Sequence, residues 1–256
     1  MGDRWPRAQR MGIPKIIHQT WKDERIPARL HHAVQSVRTY HKDWDYRLWT
    51  DAAMDTYVRE NHPDFFPVYS GFTMPIMRAD SFRYLMMLDF GGLYCDLDYI
   101  FLRPYDYAGC QVMLASERNI DYGDWRDAVC NFVFASEPGH PLWRDCIDSL
   151  RENPPSPKTY AEVTSSTGPG FLNRIYQAGA DRYQGVRVER RIAFNPRRTR
   201  RRTEATELLN NGMTYGYHLG SGSWKERFTL DYLRLKGARL LGKGAGKQPL
   251  ANGKPR

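Results

Sequence analysis

Residues 78–102 read RADSFRYLMMLDFGGLYCDLDYIFL, and this stretch decides the fold of the chain. Apolar residues recur at helical spacing from Ala79 to Phe90, which predicts a helix with an apolar face. Gly91 and Gly92 then provide a helix stop, because glycine adopts a left-handed backbone at little cost. Residues 93–102 are rich in aromatic and aliphatic side chains and read as a buried strand. The sequence therefore predicts a helix that leads directly into a strand.

Two carboxylates, Asp96 and Asp98, lie inside this apolar strand. Because side chains alternate along an extended chain, both are expected on one side, with Leu97 pointing into the protein. Two close carboxylates repel unless a cation lies near them, and hard oxygen ligands of this kind suit Mg²⁺ or Mn²⁺. Asp80 and Arg83, three residues apart on the helix, share a face separate from the apolar stripe. We therefore predict a metal or phosphate site here rather than a solvated turn.

Strand and helix patterns alternate along the rest of the chain. A strand over residues 13–21, a helix over 27–40 and a strand over 44–49 predict one parallel, doubly wound half. Thr50 is placed to begin the next helix as its N-cap. Further strands are predicted at residues 112–115 and 131–135, and further helices at 141–150 and after the turn at 167–170. The pattern indicates an α/β fold, with a Rossmann-like mixed sheet flanked by helices.

Length and composition favour a single compact domain. We expect a flexible lead over residues 1–12, the α/β domain over residues 13–236 and a basic, disordered tail over residues 237–256. No apolar run in the 256 residues reaches the roughly 18 that a membrane span needs, and the N-terminus lacks an apolar signal core. The 4 cysteines form no Cys-x-x-Cys pair and read as free thiols, so we expect a cytoplasmic protein.

The net charge of +9 favours an acidic partner but does not identify which kind of molecule it is. Much of the excess lies in the arginine run at residues 197–202 and in the tail beyond Lys236. The simplest interpretation of the run is a solvated loop. The functional alternative is peripheral contact with an anionic membrane, at its inner face, or with a lipid-diphosphate acceptor.

The pattern R-A-D-x-x-R-Y-x-x-L-x-x-x-G-G-x-Y-x-D-x-D resembles the glycosyltransferases with a DXD sugar-binding region. That family includes Golgi-type α-mannosyltransferases and is distantly related to the large glucosylating bacterial toxins. The resemblance covers about residues 13–224. It implies a GT-A-like fold, a UDP- or GDP-hexose donor, a divalent cation and a glycan or lipid-linked acceptor. It also implies transfer with retention of anomeric configuration.

The resemblance implies roles for individual residues. Asp98, with Asp96 acting directly or through water, would hold the cation against the donor diphosphate, and Asp80 and Arg83 would fix sugar hydroxyls or phosphate. His218 is the third expected metal ligand, although a packed core histidine is its alternative. The donor-binding positions that the family pattern implies are Trp21, as the ring that stacks on the base, with Tyr94, Asn131, Ser223 and Trp224. The alternative for Asn131 is an amide that satisfies backbone at a strand end, and His18 is expected to be a satisfied strand histidine.

Two other classes of function share some of these features. A metal-dependent nuclease or phosphohydrolase also uses carboxylates, but two-metal sites need more acidic ligands than this cluster offers. A non-catalytic basic module could bind anionic glycan or nucleic acid through its arginines. No P-loop and no G-x-G-x-x-G motif is present in the sequence, and we expect no nucleic-acid partner. The sequence thus favours a nucleotide-sugar-dependent hexosyltransferase.

Overall fold

A computed structural model describes residues 12–117, 129–157, 159–196 and 210–220. In chain order its elements are β1 (Ile16–Trp21), α1 (Ala28–Tyr40), β2 (Asp45–Thr50), α2 (Asp51–Asn61), α3 (Phe66–Gly71), α4 (Pro75–Asp89), β3 (Gly92–Cys95), β4 (Tyr99–Phe101), β5 (Val112–Ser116), β6 (Val129–Ser136), α5 (Pro141–Glu152), α6 (Tyr160–Ser166), α7 (Pro169–Gly179), β7 (Val186–Glu189), α8 (Arg191–Phe194) and β8 (Gly216–His218). Ser223, Trp224, the arginine run and the expected tail lie outside the described residues, and the domain limits remain a prediction.

The described strands form a six-stranded sheet in the order β2-β1-β3-β6-β5-β7 and a separate two-stranded sheet of β4 and β8. In the large sheet, β1 runs parallel to β2 and β3, and β5 runs parallel to β7. Strand β6 is antiparallel to both of its neighbours, β3 and β5. The mixed α/β sheet flanked by helices that the sequence predicts is therefore confirmed.

Side chains that alternate along the strands supply two apolar layers, one on each face of the large sheet. On β3, Tyr94 packs with the layer formed by α2 to α7, whereas Leu93 and Cys95 pack with the opposite layer. That opposite layer contains Val37 of α1 and Phe194 of α8, together with the β4 side chains. Helix α1 and the small β4–β8 sheet thus cover one face, and the larger helical layer covers the other.

The stretch that decides the fold behaves as the sequence predicts at its glycines. Gly91 and Gly92 have positive φ angles of 62° and 92° and end α4 against the sheet. A Cβ atom at Gly91 would lie 2.5 Å from the carbonyl oxygen of Ser136, and one at Gly92 would lie 2.5 Å from that of Ile16. Both positions therefore require glycine for conformation and for space.

Two local expectations are wrong. Residues 93–102 are not one strand, because the chain turns after Cys95 and the Tyr99 N–H donates to the Asp96 carbonyl at 2.9 Å. The first strand begins at Ile16 rather than at residue 13. Asp80 and Arg83 lie close together on α4 as expected, and both are buried because α5 on one side and the sheet on the other enclose this helix.

Of the helices in the described ranges, none combines the length and the apolar character needed to cross a membrane.

Candidate metal and sugar-binding site

The acidic pair lies in the tight turn between β3 and β4, and β8 brings a histidine to it. Pairing of Tyr99 with His218 places the imidazole beside both carboxylates. The His218 Nε2 atom lies 2.7 Å from Asp98 Oδ1 and 3.4 Å from Asp96 Oδ2. Ligand atoms of the three residues all lie within 4.8 Å of one another. The two carboxylates therefore lie close together as expected, although they belong to a turn and not to a strand.

The protonation of His218 follows from this geometry. Burial alone would lower the pKa of His218, but hydrogen bonds and charge from Asp96 and Asp98 outweigh it and raise the pKa to about 9. The imidazole ring also stacks on Phe132, with centroids 4.5 Å apart and planes 9° from parallel. At neutral pH a proton on His218 therefore offsets the negative charge of the acidic pair.

The donor set fits a divalent cation. Two carboxylates and one imidazole provide the oxygen and nitrogen ligands that Mn²⁺ accepts, and Mg²⁺ is suited to the same carboxylates. Such a cation would replace the His218 proton as the charge that balances Asp96 and Asp98. The packed-core alternative for His218 does not describe its contacts, because the ring bonds to both carboxylates of the turn.

Arg83 lies behind the acidic turn and is only 3% exposed. Its Nη1 atom lies 3.4 Å from Asp96 Oδ1 and donates to the Asn131 carbonyl at 2.5 Å. Its Nη2 atom lies 3.2 Å from Asp80 Oδ1, and the guanidinium carbon lies 4.6 Å from the centre of the Tyr94 ring. Arg83 is thus a fixed buried positive charge that links Asp80 to Asp96.

Asp80 is a buried carboxylate that contacts polar side chains from other parts of the protein. Burial raises the pKa of Asp80 to about 6, and the opposing charge of Arg83 does not cancel that effect. Its Oδ1 atom accepts from the Asn131 amide at 3.1 Å, and its Oδ2 atom accepts from the Thr167 hydroxyl at 3.0 Å. The Asn131 amide therefore holds Asp80, rather than the strand backbone. Sequence reasoning did not predict that the Thr167 hydroxyl contacts Asp80.

Tyr94 is fully buried on β3. Its hydroxyl donates to Asp96 Oδ1 at 2.7 Å and lies 3.3 Å from the Thr20 hydroxyl. Gln19 makes a second link that sequence reasoning missed, because its amide donates to the Asp96 carbonyl at 3.2 Å. Both links tie the end of β1 to the acidic turn, so the Tyr94 hydroxyl positions Asp96, and the donor contact expected of Tyr94 remains a prediction.

Trp21 ends β1 and packs beside Leu30, Val34 and Leu97. Its indole Nε1 atom is buried and has no hydrogen-bond partner among the described residues. An unpaired buried donor costs roughly 1–3 kcal/mol, so this position suits a ligand that supplies an acceptor. His18 on the same strand is satisfied as expected, with Trp49 Nε1 3.0 Å from its Nδ1 and the Gly91 carbonyl 3.1 Å from its Nε2.

Comparison with known proteins identifies the part of the chain that contains the acidic turn. Residues 27–118 match the family model described as a glycosyltransferase sugar-binding region containing a DXD motif. The chain is 36% identical over 168 residues to inositol phosphoceramide mannosyltransferase 1 of Schizosaccharomyces pombe. The aligned region covers 63% of this chain and 50% of that protein. The chain is 27% identical over 174 residues to an initiation-specific alpha-1,6-mannosyltransferase of Candida albicans, covering 58% and 45%. The chain spans about half the length of the curated relatives it matches.

Among solved structures, the PaToxG glycosyltransferase superposes with a TM-score of 0.48 at 16% sequence identity. The superposition covers 66% of this chain and 72% of that chain. The resemblance to DXD glycosyltransferases that the sequence predicts is confirmed by the family match and by the mannosyltransferase relatives.

Proposed function

We infer that this chain, which carries the DXD sugar-binding region of glycosyltransferases, moves a hexose from a nucleotide-sugar donor to a glycolipid or glycan in a metal-dependent reaction. The observation that carries the proposal is the convergence of Asp96, Asp98 and His218 within 4.8 Å. The names of the relatives favour mannose as the sugar and a lipid of the inositol phosphoceramide class as the acceptor. Retention of anomeric configuration belongs to the proposal and rests on the family resemblance alone.

Each described residue of the site has a role in this reaction. Asp98 and Asp96 would hold Mn²⁺ or Mg²⁺ together with His218, whose release of its proton makes the imidazole available as a ligand. When bound, the cation neutralises charge on the departing nucleoside diphosphate. Arg83 orients Asp96 from behind the turn. Trp21 provides the ring on which the base of UDP or GDP stacks.

The buried Asp80 group completes the proposal on the sugar side. Its carboxylate is held by Arg83, Asn131 and Thr167, so its orientation is fixed before any ligand arrives. Sugar hydroxyls that reach this group would meet a preorganised set of donors and acceptors. The direct roles of Asp80 and Arg83 toward sugar or phosphate remain predictions, because both side chains are almost completely buried.

The alternative classes are not favoured. In the described part of the chain the metal cluster contains two acidic ligands, fewer than a two-metal nuclease or phosphohydrolase needs. The arginine run on which a basic binding module would depend lies outside the described residues. A cytoplasmic location and contact with the inner membrane face remain predictions.

The test combines donor binding with one isosteric substitution. We expect Mn²⁺ together with one of a panel of UDP- and GDP-hexoses to raise the melting temperature of the wild-type protein by mass action. Asp98→Asn should abolish the Mn²⁺-dependent rise and lower transfer by about 100-fold or more, since it removes a ligand charge. Asp64→Asn, at an exposed turn before α3, is the matched control and should change neither. Transfer by Asp98→Asn within about threefold of wild type would overturn the assignment.

A further inference from the structure

A basic groove lies beside α1, on the sheet face that also carries β4 and β8. Its volume is about 810 Å³, and it is bounded by α1 and by the connection from β1 to α1. Arg38 lines it from the last turn of α1, Lys42 from the turn that follows this helix, and Arg25 from the connection. Glu24 is the acidic residue of the lining, so the three cations leave an excess of positive charge. We call this site the α1 groove.

The cations of the α1 groove are available to a ligand. Arg25, Arg38 and Lys42 are exposed, and none of them is ion-paired with a carboxylate among the residues that the structure describes. The guanidinium carbon of Arg38 lies 5.1 Å from the centre of the Tyr46 ring, which orients this side chain before any ligand binds. A planar guanidinium can give two parallel hydrogen bonds to a phosphate, which makes arginine a specific partner for that group.

The α1 groove adjoins the acidic turn. Val34 lines the groove and packs in one apolar cluster with Leu97, the residue between Asp96 and Asp98. Trp21 packs against the same cluster. A ligand in the groove is therefore separated from the candidate metal site by one layer of side chains. A cavity of this size is in the range that holds a small-molecule headgroup.

We propose that the α1 groove binds the phosphate-bearing headgroup of the lipid acceptor. The proposal rests on the proposed function and names the chemistry of its acceptor: Arg25, Arg38 and Lys42 bind the phosphodiester. Ile26 and Val34 supply apolar surface next to these charges. The donor diphosphate is not the ligand proposed for this groove, because the proposed function assigns it to the cluster of Asp96, Asp98 and His218.

The experiment measures binding of the full chain to vesicles by cosedimentation. Wild-type protein should bind phosphatidylcholine vesicles that contain phosphatidylinositol, and it should bind those that contain phosphatidylserine at least about tenfold more weakly. The double variant Arg38→Glu/Lys42→Glu should lose at least about tenfold in binding to the phosphatidylinositol vesicles. Arg59→Glu/Arg144→Glu makes the same charge change on exposed residues of α2 and α5, across the sheet, and should bind like wild type.

Each outcome decides for or against the groove. Competition by soluble glycerophosphoinositol, but not by inorganic phosphate at the same concentration, supports recognition of the headgroup. Equal binding of the two anionic vesicle types, or equal loss in both double variants, would show general membrane attraction and overturn the proposal. The melting shift with Mn²⁺ and nucleotide-sugar separates the two hypotheses. Its absence in wild type would refute the proposed function, and the vesicle binding would then be interpreted by itself. Far-UV circular dichroism and melting of Arg38→Glu/Lys42→Glu check its folding.

Discussion

Acidification should destabilise the protein through His18. This histidine is completely buried on β1 and packs beside the rings of Trp49 and Phe90. Its Nδ1 atom accepts from Trp49 Nε1, so its Nε2 atom carries the proton and donates to the Gly91 carbonyl. Burial, together with the nearby charge of Arg47, lowers the pKa of His18 from 6.5 to about 4. The folded state therefore requires the neutral imidazole.

The sign and size of the effect follow from linkage. Because the pKa is lower in the folded than in the unfolded state, the unfolded chain takes up a proton first as the pH falls. The stabilisation is fully present above the unfolded pKa of 6.5 and is lost as the pH falls toward about 4. At 1.36 kcal/mol per pH unit the whole interval is worth about 3 kcal/mol, of which about 2 kcal/mol is lost by about pH 5.

Urea unfolding at about pH 7.5 and about pH 5 measures this loss. The control is His18→Gln, whose amide can accept and donate but does not titrate. His41 and His140, whose pKa values burial also lowers, are present in both proteins and cancel in the comparison, as does Asp80. Wild type should lose about 2 kcal/mol more than His18→Gln between the two conditions. A difference below about 0.5 kcal/mol would show that His18 is not held neutral by the fold.

Two further substitutions test the site and its support. Tyr94→Phe removes the hydroxyl that holds Asp96 Oδ1 and should weaken Mn²⁺ binding by about 10- to 100-fold in isothermal titration calorimetry; equal affinity would refute the positioning role. Gly216→Ala places a Cβ atom 2.6 Å from the Tyr99 ring and should cost about 1–3 kcal/mol in urea unfolding. Gly71→Ala is the control, because a Cβ atom there meets nothing within 4 Å, and an equal cost in both variants would contradict the packing argument.

Local chemistry explains the parts of the fold that the sequence predicts. Thr50 begins α2 as expected, because its hydroxyl accepts from the Ala53 N–H at 3.1 Å. Pro75 occupies the first turn of α4, where its missing N–H has no helical partner to lose. The Gly91-Gly92 pair ends the same helix. Each of these sequence features depends on residues only a few positions apart. It can therefore be recognised without knowledge of the rest of the chain.

The parts that the sequence does not predict depend on distant partners. The turn at Asp96 to Asp98 interrupts an apolar run because β4 leaves the large sheet and pairs with β8, which lies 120 residues from Asp98 at His218. The polar contact that fixes Asp80 comes from Thr167, 87 residues away. Propensity and periodicity describe neighbours along the chain and contain no information on such pairings. Residue type and the family resemblance identified His218 as a ligand candidate, while its placement required the β4–β8 sheet.

The same long-range pairing would couple the proposed binding of a cation to the docking of β8. Beside the His218 side-chain contact, the Leu219 N–H donates to the Asp98 carbonyl at 3.0 Å, so β8 meets the acidic turn through both backbone and side chain. A cation that binds only when His218 is in place stabilises the docked strand by the free energy of its own binding. Conversely, a change that weakens the docking of β8 would lower the affinity for the cation by the same factor. Arg83 contacts Asp96 from one side, and His218 contacts both Asp96 and Asp98 from the other, so these side chains fix the geometry of the turn.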